Sequence, residues 1–272
     1  MVPDNYRAFT TLRVEQRERL LSVVLDRPDS LNAVNPLLHR ELEDLFSVIR
    51  RDASVGAVLL TGAGRAFCAG GDVKGMAESA SSVDDGVAQR VGRLLIGAKT
   101  LITNMLEVEV PIVTAVQGYA MGLGATIALC SDVVIAADDA VFADNHVSVG
   151  LVAGDGGALI WPLLLPINTA KYYLMTGERI TGKEAAQLGL VLKSVPAEDL
   201  LGEATSIATR LANGPTLAIR WTKTSVNKIL RDRVNLLFDT SLVLEGASML
   251  SHDHSEATAA FVAKRAPDFL GK

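Results

Sequence analysis

A chain of 272 residues, 49% of them hydrophobic and only 5% aromatic, holds enough apolar material for a sizeable core without disulfide support. Its net charge of −5 and lack of a basic stripe argue against nucleic acid as a partner, and no apolar run reaches the ~18 residues that a membrane span needs. Cys68 and Cys130 lack metal-ligand spacing and read as reduced core thiols of a cytoplasmic protein, while the opening MVPDNYRAF has neither the basic nor the apolar part of a signal peptide.

In chain order, residues 12–26 read as two short strands around a polar turn at 16–19, the second strand covering 20–25. The connection DRPDSLNAVNP is rich in turn formers. Asn35 followed by Pro36 predicts an N-cap and a first helical residue, and Leu38, Leu42, Leu45, Phe46 and Ile49 then recur at helical spacing. His39 falls on the polar side of that helix and reads as a surface residue. Residues 55–61 predict a buried strand running into GAGRAFCAGGDVKG, a glycine-rich loop longer than a turn requires. Residues 78–85 are small and polar and read as a mobile segment. From 84 to 106 a helical stripe runs through Val87, Val91, Leu94, Leu95, Ala98, Leu101, Ile102 and Met105. Pro111 opens the next strand, and residues 132–136 give another.

Strand, glycine loop and helix recur from Val55, Pro111 and Val133, which points to stacked ββα units in an α/β fold rather than a sandwich. Strand signals stop near residue 197. Helical patterns follow at 200–211, 234–250 and 255–264, with Asn213-Gly214-Pro215 ending one helix and starting the next. The expected division is an α/β core over 1–197 and a helical region over 198–272 whose apolar faces pack on a neighbour.

One stretch carries a chemical suggestion. In TAVQGYAMGLGAT, residues 114–126, a buried strand leads to Gly118, Gly122 and Gly124, and a helix pattern begins at once with Ala125, Ile127, Ala128 and Leu129. Glycines let backbone approach a ligand closely, and a helix start presents unpaired N–H groups, so the place suits an anion or an oxygen that becomes one. A plain βα turn has the same pattern, and only a second set of N–H donors elsewhere would separate the two readings.

AFCAGGDVK (66–74) and AVQGYAMGLGATIAL (115–129) resemble the two signature loops of the crotonase superfamily, the enoyl-CoA hydratase/isomerase family. LDRPDSLNAV (25–34), CSDVVIAADDAVFA (130–143), GLVAGDGG (150–157), LMTGERITGKEAAQLGLV (174–191) and FVAKR (261–265) extend the resemblance over nearly the whole chain, in the family's order. It implies a crotonase-like spiral of ββα repeats, a C-terminal helical trimerisation region, and homotrimers or dimers of trimers. A coenzyme A thioester is the implied substrate, with no permanently bound cofactor and no metal. Its thioester oxygen would meet the backbone N–H groups of Gly71 and Leu123, the oxyanion hole of the family. By the same carry-over, Leu31 and Ala33 would offer backbone to the adenine and Arg27 would lie near the pyrophosphate. Ala69, Gly71, Asp72, Val73 and Lys74 would line the pantetheine and thioester, with Gly122 and Thr126 on the second loop. Phe261 and Lys264 would reach the nucleotide of a neighbouring subunit. For Arg27 and Lys74 a solvated surface charge is the competing reading.

The family's hydratases place two glutamates over the acyl α and β carbons. Here those positions hold Thr126 and His146, so hydration by the usual acid–base pair is in doubt. Asp155 in GDGG lies in a loop that faces the site in the family. Its spacing of nine from His146 matches the pair used by branches that hydrolyse C–C bonds of β-diketones. A histidine beside a carboxylate titrates near neutral pH and can activate water. Against this, His146 can simply bond within its loop, and Asp155 can cap a helix starting near Gly156. Asp144 reads as loop-capping, His252 and His254 as solvated helix-capping residues, Trp161 and Trp221 as packing. Glu245, among apolar residues of a late helix, reads as an interface residue able to reach inward. Three functions follow: an acyl-CoA lyase or isomerase, a C–C hydrolase using His146 and Asp155, or a non-catalytic acyl-CoA binder.

Overall fold

The computed structural model describes residues 6–72 and 87–272. β1 (Leu12–Arg17) and β2 (Leu20–Leu25) pair antiparallel, as their alternation predicts. α1 (Pro36–Ile49) begins where Asn35 accepts the Leu38 N–H on its side-chain oxygen at 2.9 Å, satisfying one of the helix's free donors. Its predicted stripe is buried, with one addition: Glu41 shares that face, and its two carboxylate oxygens take the N–H and hydroxyl groups of Thr10 and Thr11. That carboxylate pins the segment before β1 onto α1.

β3 (Ala57–Gly62) pairs parallel with β2. The expected helix is present as α2 (Val87–Leu106), with Ala98, Leu101, Ile102 and Met105 buried; the predicted mobile segment 78–85 lies outside the described residues. β4 (Ile112–Val116) has all five residues buried, as a parallel strand covered on both faces must. Next come β5 (Tyr119–Met121), α3 (Leu123–Leu129), β6 (Val133–Ala137), β7 (Val141–Ala143), α4 (Gly157–Leu164), α5 (Ile167–Thr176), β8 (Ile180–Thr181), α6 (Gly182–Leu188) and β9 (Lys193–Val195). The large sheet has the order β1-β2-β3-β4-β6-β9, and a small one the order β5-β7-β8. In β4–β5–α3 and again in β6–β7–α4, the first strand joins the large sheet, the second joins the small sheet, and the helix returns. This is the predicted ββα stacking. An isolated bridge between Cys68 and Ala120 attaches the loop after β3 to the same small sheet.

Among the described residues no strand follows Val195. α7 (Leu200–Ala212) buries Leu200, Ala204, Ala208 and Ala212 and packs on β3, β4 and β6, so the first helix of this region covers the sheet. α8 (Thr216–Arg233) runs into a π-helical turn, Val234–Phe238, and then α9 (Asp239–Ser248). The extra residue per turn brings Val234, Phe238, Leu242 and Glu245 to the inside in succession. α9 packs on α2. α10 (His252–Ala263) starts at Ser251, whose hydroxyl accepts the His254 N–H at 3.0 Å. His252 and His254 therefore sit inside the helix rather than capping it. His254 is also less solvated than expected, its Nδ1 lying 2.7 Å from the Val149 carbonyl. Trp161 is buried as expected, whereas Trp221 is 62% exposed on α8, where Leu217, Val226 and Ile229 are exposed too. Among the described residues no helix is long and apolar enough to cross a membrane.

Candidate functional site

The two glycine loops meet because their backbones are laced together. Cys68 donates to the Tyr119 carbonyl at 2.8 Å, and Met121 donates back to Cys68 at 3.0 Å. Two glycines make the approach possible. A Cβ on Gly70, which has a φ of +91°, would lie 2.7 Å from the Met121 carbonyl oxygen, and one on Gly124 would lie 2.5 Å from that of Cys68. Asn32 holds the first loop from behind. Its buried amide donates to the carbonyls of Ala63 and Ala66 at 2.9 and 2.8 Å, while its oxygen takes the Arg27 N–H at 2.8 Å. The motif around Asn32 is visible in the sequence; its function as a clamp is not.

Lacing leaves two donors over. Val34 and Gly70, then Asp72 and Val34, bond across Gly71 at 2.7 and 3.2 Å, while the Gly71 N–H itself meets no acceptor among the described residues. Gly122 donates to Ala143 at 2.9 Å and Thr126 to Gly122 at 3.0 Å. Leu123, the first residue of α3, likewise has an N–H without an acceptor among the described residues.

Directly beside this second loop lies a buried acid cluster. Asp144, at the end of β7, sets its Oδ1 2.6 Å from His146 Nδ1, while the far ring nitrogen, Nε2, is 3.3 Å from Asp155 Oδ2. A Cβ on Gly122 would touch the ring, at 3.3 Å from His146 Cε1. The capping reading of Asp155 is not what the structure holds: α4 starts from Gly156 with no side-chain cap bond, and Asp155 faces the imidazole. Asp144 does accept the His146 backbone N–H, but only at 3.4 Å; its close partner is the ring. Near-neutral titration of His146 needs correction too. Burial alone would lower its pKa, but the charges of Asp155 and Asp144, and the hydrogen bonds to both, raise it well above the ordinary value. The two carboxylates thus favour the charged form of the ring against the effect of burial.

Sequence reasoning assigned Glu245 to an interface. The structure puts it 2% exposed on the inner face of α9, within the same cluster. One side-chain atom from each of His146, Asp155 and Glu245 lies within 4.8 Å of the others, so the three groups converge on one point. Burial pushes the Glu245 carboxyl well above the usual carboxylate range, and Asp155 adds to that push while the His146 cation opposes it. Thr126 turns its methyl towards the same loop, where a Cβ on Gly156 would sit 2.2 Å from it.

The remaining expected contacts are distributed as follows. Arg27 is turned inward, donating to the Ala33 carbonyl and lying 3.6 Å from Asp72, so it is not a free surface charge. Leu31 adopts a left-handed conformation, and its carbonyl takes the Ala69 N–H at 3.0 Å. Val73 and Lys74 lie outside the described residues. Phe261 is 53% exposed, and Lys264 ends α10 in a left-handed conformation. His39 pairs with Glu43 on its own helix at 2.8 Å. Both thiols are buried and pushed up to about 12 by that burial, Cys68 donating to the Asn32 carbonyl.

Known proteins match this chain from end to end. The family model for enoyl-CoA hydratase/isomerase matches residues 15–272. The chain is 32% identical to the crotonyl-CoA hydratase of Syntrophomonas wolfei over 267 residues, covering 97% of this chain and 100% of that one. Among solved structures, an enoyl-CoA hydratase/isomerase from Mycobacterium paratuberculosis superposes with a TM-score of 0.86 at 37% identity, over 92% of this chain and 98% of the other. A β-diketone hydrolase from the cyanobacterium Anabaena, bound to (S)-3-oxocyclohexyl acetic acid, gives 0.81 at 30% identity over 96% and 99%. With its stacked ββα turns and helical C-terminal region, the chain belongs to the enoyl-CoA hydratase/isomerase family, the crotonase superfamily.

Proposed function

We propose that this protein binds an acyl-CoA thioester with its carbonyl oxygen between the Gly71 and Leu123 N–H groups, and moves protons at the adjoining carbons with Asp155 and His146. The observation that carries this reading is the nearness of His146 to Gly122, where an added Cβ would lie 3.3 Å from the ring, one residue from the Leu123 donor. A thioester carbonyl becomes an enolate when its α-proton leaves, and two backbone donors are aimed at that oxygen. Each such donor contributes roughly 2.7–4 kcal/mol to lowering a barrier of this kind. Asp155, as carboxylate, takes the proton from the α-carbon or from water. His146, held charged by Asp144, returns one. The nominal reaction is that of a hydratase or isomerase, run without the usual glutamates at positions 126 and 146. Arg27, Leu31, Ala33, Ala69, Asp72, Val73 and Lys74 serve the coenzyme, and Phe261 and Lys264 complete it from a second subunit of a homotrimer or dimer of trimers. The exposed apolar residues of α8 are the faces that such an assembly would cover. We place the protein in the cytoplasm.

A second reading has its own support. His146 and Asp155 as a pair, together with likeness to the Anabaena hydrolase, favour water attack on a β-diketone, with the expelled enolate received by the same two N–H groups. Crotonyl-CoA hydration, double-bond isomerisation and cyclic β-diketone cleavage, measured side by side in the wild type, His146→Ala and Asp155→Asn, decide between them. Whichever activity is present falls about 10²–10⁴-fold in both variants. Hydration at full rate in His146→Ala overturns the assignment of His146. Tight acyl-CoA binding with no turnover on any substrate makes the protein a binder.

A further inference from the structure

Three buried side-chain oxygens gather at residues 154–156 with no hydrogen-bond partner among the described residues: Thr126 Oγ1, Asp155 Oδ1 and Glu245 Oε2. A Cβ on Gly154 would lie 2.7 Å from Glu245 Oε2, and a Cβ on Gly156 would lie 3.2 Å from Thr126 Oγ1. Thr126 from α3 and Glu245 from α9 thus both reach the turn that carries Asp155. A fourth unpartnered oxygen, Asp144 Oδ2, is turned to Gly157, while its Oδ1 faces the imidazole.

Leaving a buried polar atom unpaired costs about 1–3 kcal/mol, and three at one loop mark hydrogen bonds reserved for something that binds there. Charge narrows what that is. Burial, with the charge of Asp155, pushes the Glu245 carboxyl well above the usual carboxylate range and so favours its neutral form, which has an O–H to donate. Thr126 also has a hydroxyl to donate, and Asp155 can accept.

We propose that Glu245 is a substrate-facing residue, and that the acyl group it meets carries an oxygen, hydroxyl or carbonyl, which completes the hydrogen bonds of Glu245, Asp155 and Thr126. The inference rests on the acyl-CoA reading above. An unsubstituted alkyl chain at this place would keep all three oxygens unpaired, whereas an oxygen function accepts from Glu245 and Thr126 and, as a hydroxyl, donates to Asp155.

The test compares chain-length-matched ligands by isothermal titration calorimetry on the full-length protein: butyryl-CoA, 3-hydroxybutyryl-CoA and acetoacetyl-CoA. The wild type binds at least one oxygenated ligand ~10-fold or more tighter than butyryl-CoA, a difference of about 1.4 kcal/mol. Glu245→Leu narrows the gap to less than about 3-fold, and Glu245→Gln, whose amide still donates, keeps most of it. Circular dichroism and thermal unfolding establish that both variants are folded. Should Glu245→Leu not fold, the wild-type ratio and Glu245→Gln still decide. Equal wild-type affinity for butyryl-CoA and both oxygenated ligands overturns the proposal, as does a preference that survives in folded Glu245→Leu. Loss of the preference in Glu245→Gln alongside an unfolded Glu245→Leu counts against donation by residue 245 and overturns it as well. Failure of all three ligands to bind refutes the acyl-CoA reading instead.

Discussion

Replacing Asp144 by asparagine keeps the shape of the carboxylate that orients His146 and removes its charge. The Oδ1 to Nδ1 distance of 2.6 Å is that of a charge-assisted hydrogen bond, in a residue that is fully buried. Bonds of this kind contribute roughly 1.5–3 kcal/mol, and at about 1.4 kcal/mol per decade their loss from a charged imidazole costs about 10- to 150-fold in rate. Asp144→Asn should therefore lower kcat/KM by that factor with little change in the affinity of an unreactive acyl-CoA. Imidazole NMR should see the His146 pKa fall. In Asp144→Asn/Asp155→Asn it should drop below the ordinary histidine value, because burial is then unopposed. Stability follows the same linkage. A pKa raised in the folded state contributes stability that is complete below the unfolded value, about 6.5, and lost as pH rises through the folded one. Urea unfolding should accordingly show the wild type's advantage over Asp144→Asn to be largest near about pH 6 and to shrink in alkali. An advantage that grows with pH, or a rate within twofold of wild type, would refute this account of the cluster.

Gly156→Ala meets Thr126 Cγ2 at 2.2 Å and forces a side chain to a φ of +135°, so it should destabilise by about 2–5 kcal/mol in urea; Gly156→Ala/Thr126→Ser should recover the steric part. Asn32→Ala strands one N–H and two carbonyls behind the first loop and should cost about 3 kcal/mol, with weaker acyl-CoA binding at temperatures where the variant is still folded. Neither thiol should react with a disulfide reagent at pH 8 until the protein is unfolded, since both are buried with pKa values of about 12.

What could be read in advance was local. Asn35-Pro36 announces α1 because the cap and its helix are neighbours, and the two glycine loops are recognisable because each is one short continuous stretch. The ββα stacking also follows from repeated local order. The site's acid cluster is different in kind. Asp144, His146 and Asp155 lie within twelve residues, yet the sequence does not say that the imidazole has a carboxylate on each nitrogen. Glu245 is farther out of reach. It arrives from a helix ninety residues downstream of Asp155, and its inward position depends on the π-helical turn that rotates α9. One acid on an amphipathic helix reads as surface or interface, and only the packing of α9 on α2 overrules that.

The contact between Thr126 and Gly156 bears on how this site could be changed. Thr126 already presses its methyl against the turn that carries Asp155. A glutamate at 126 would need the room that this turn occupies, and giving it that room would draw Asp155 away from the imidazole. The small residue at 126 and the aspartate at 155 are one steric choice, with a single space shared between two rival carboxylates. Redesign towards a two-glutamate hydratase would have to remodel residues 154–157 together with position 126. Single substitutions at either place would lose one chemistry without installing the other.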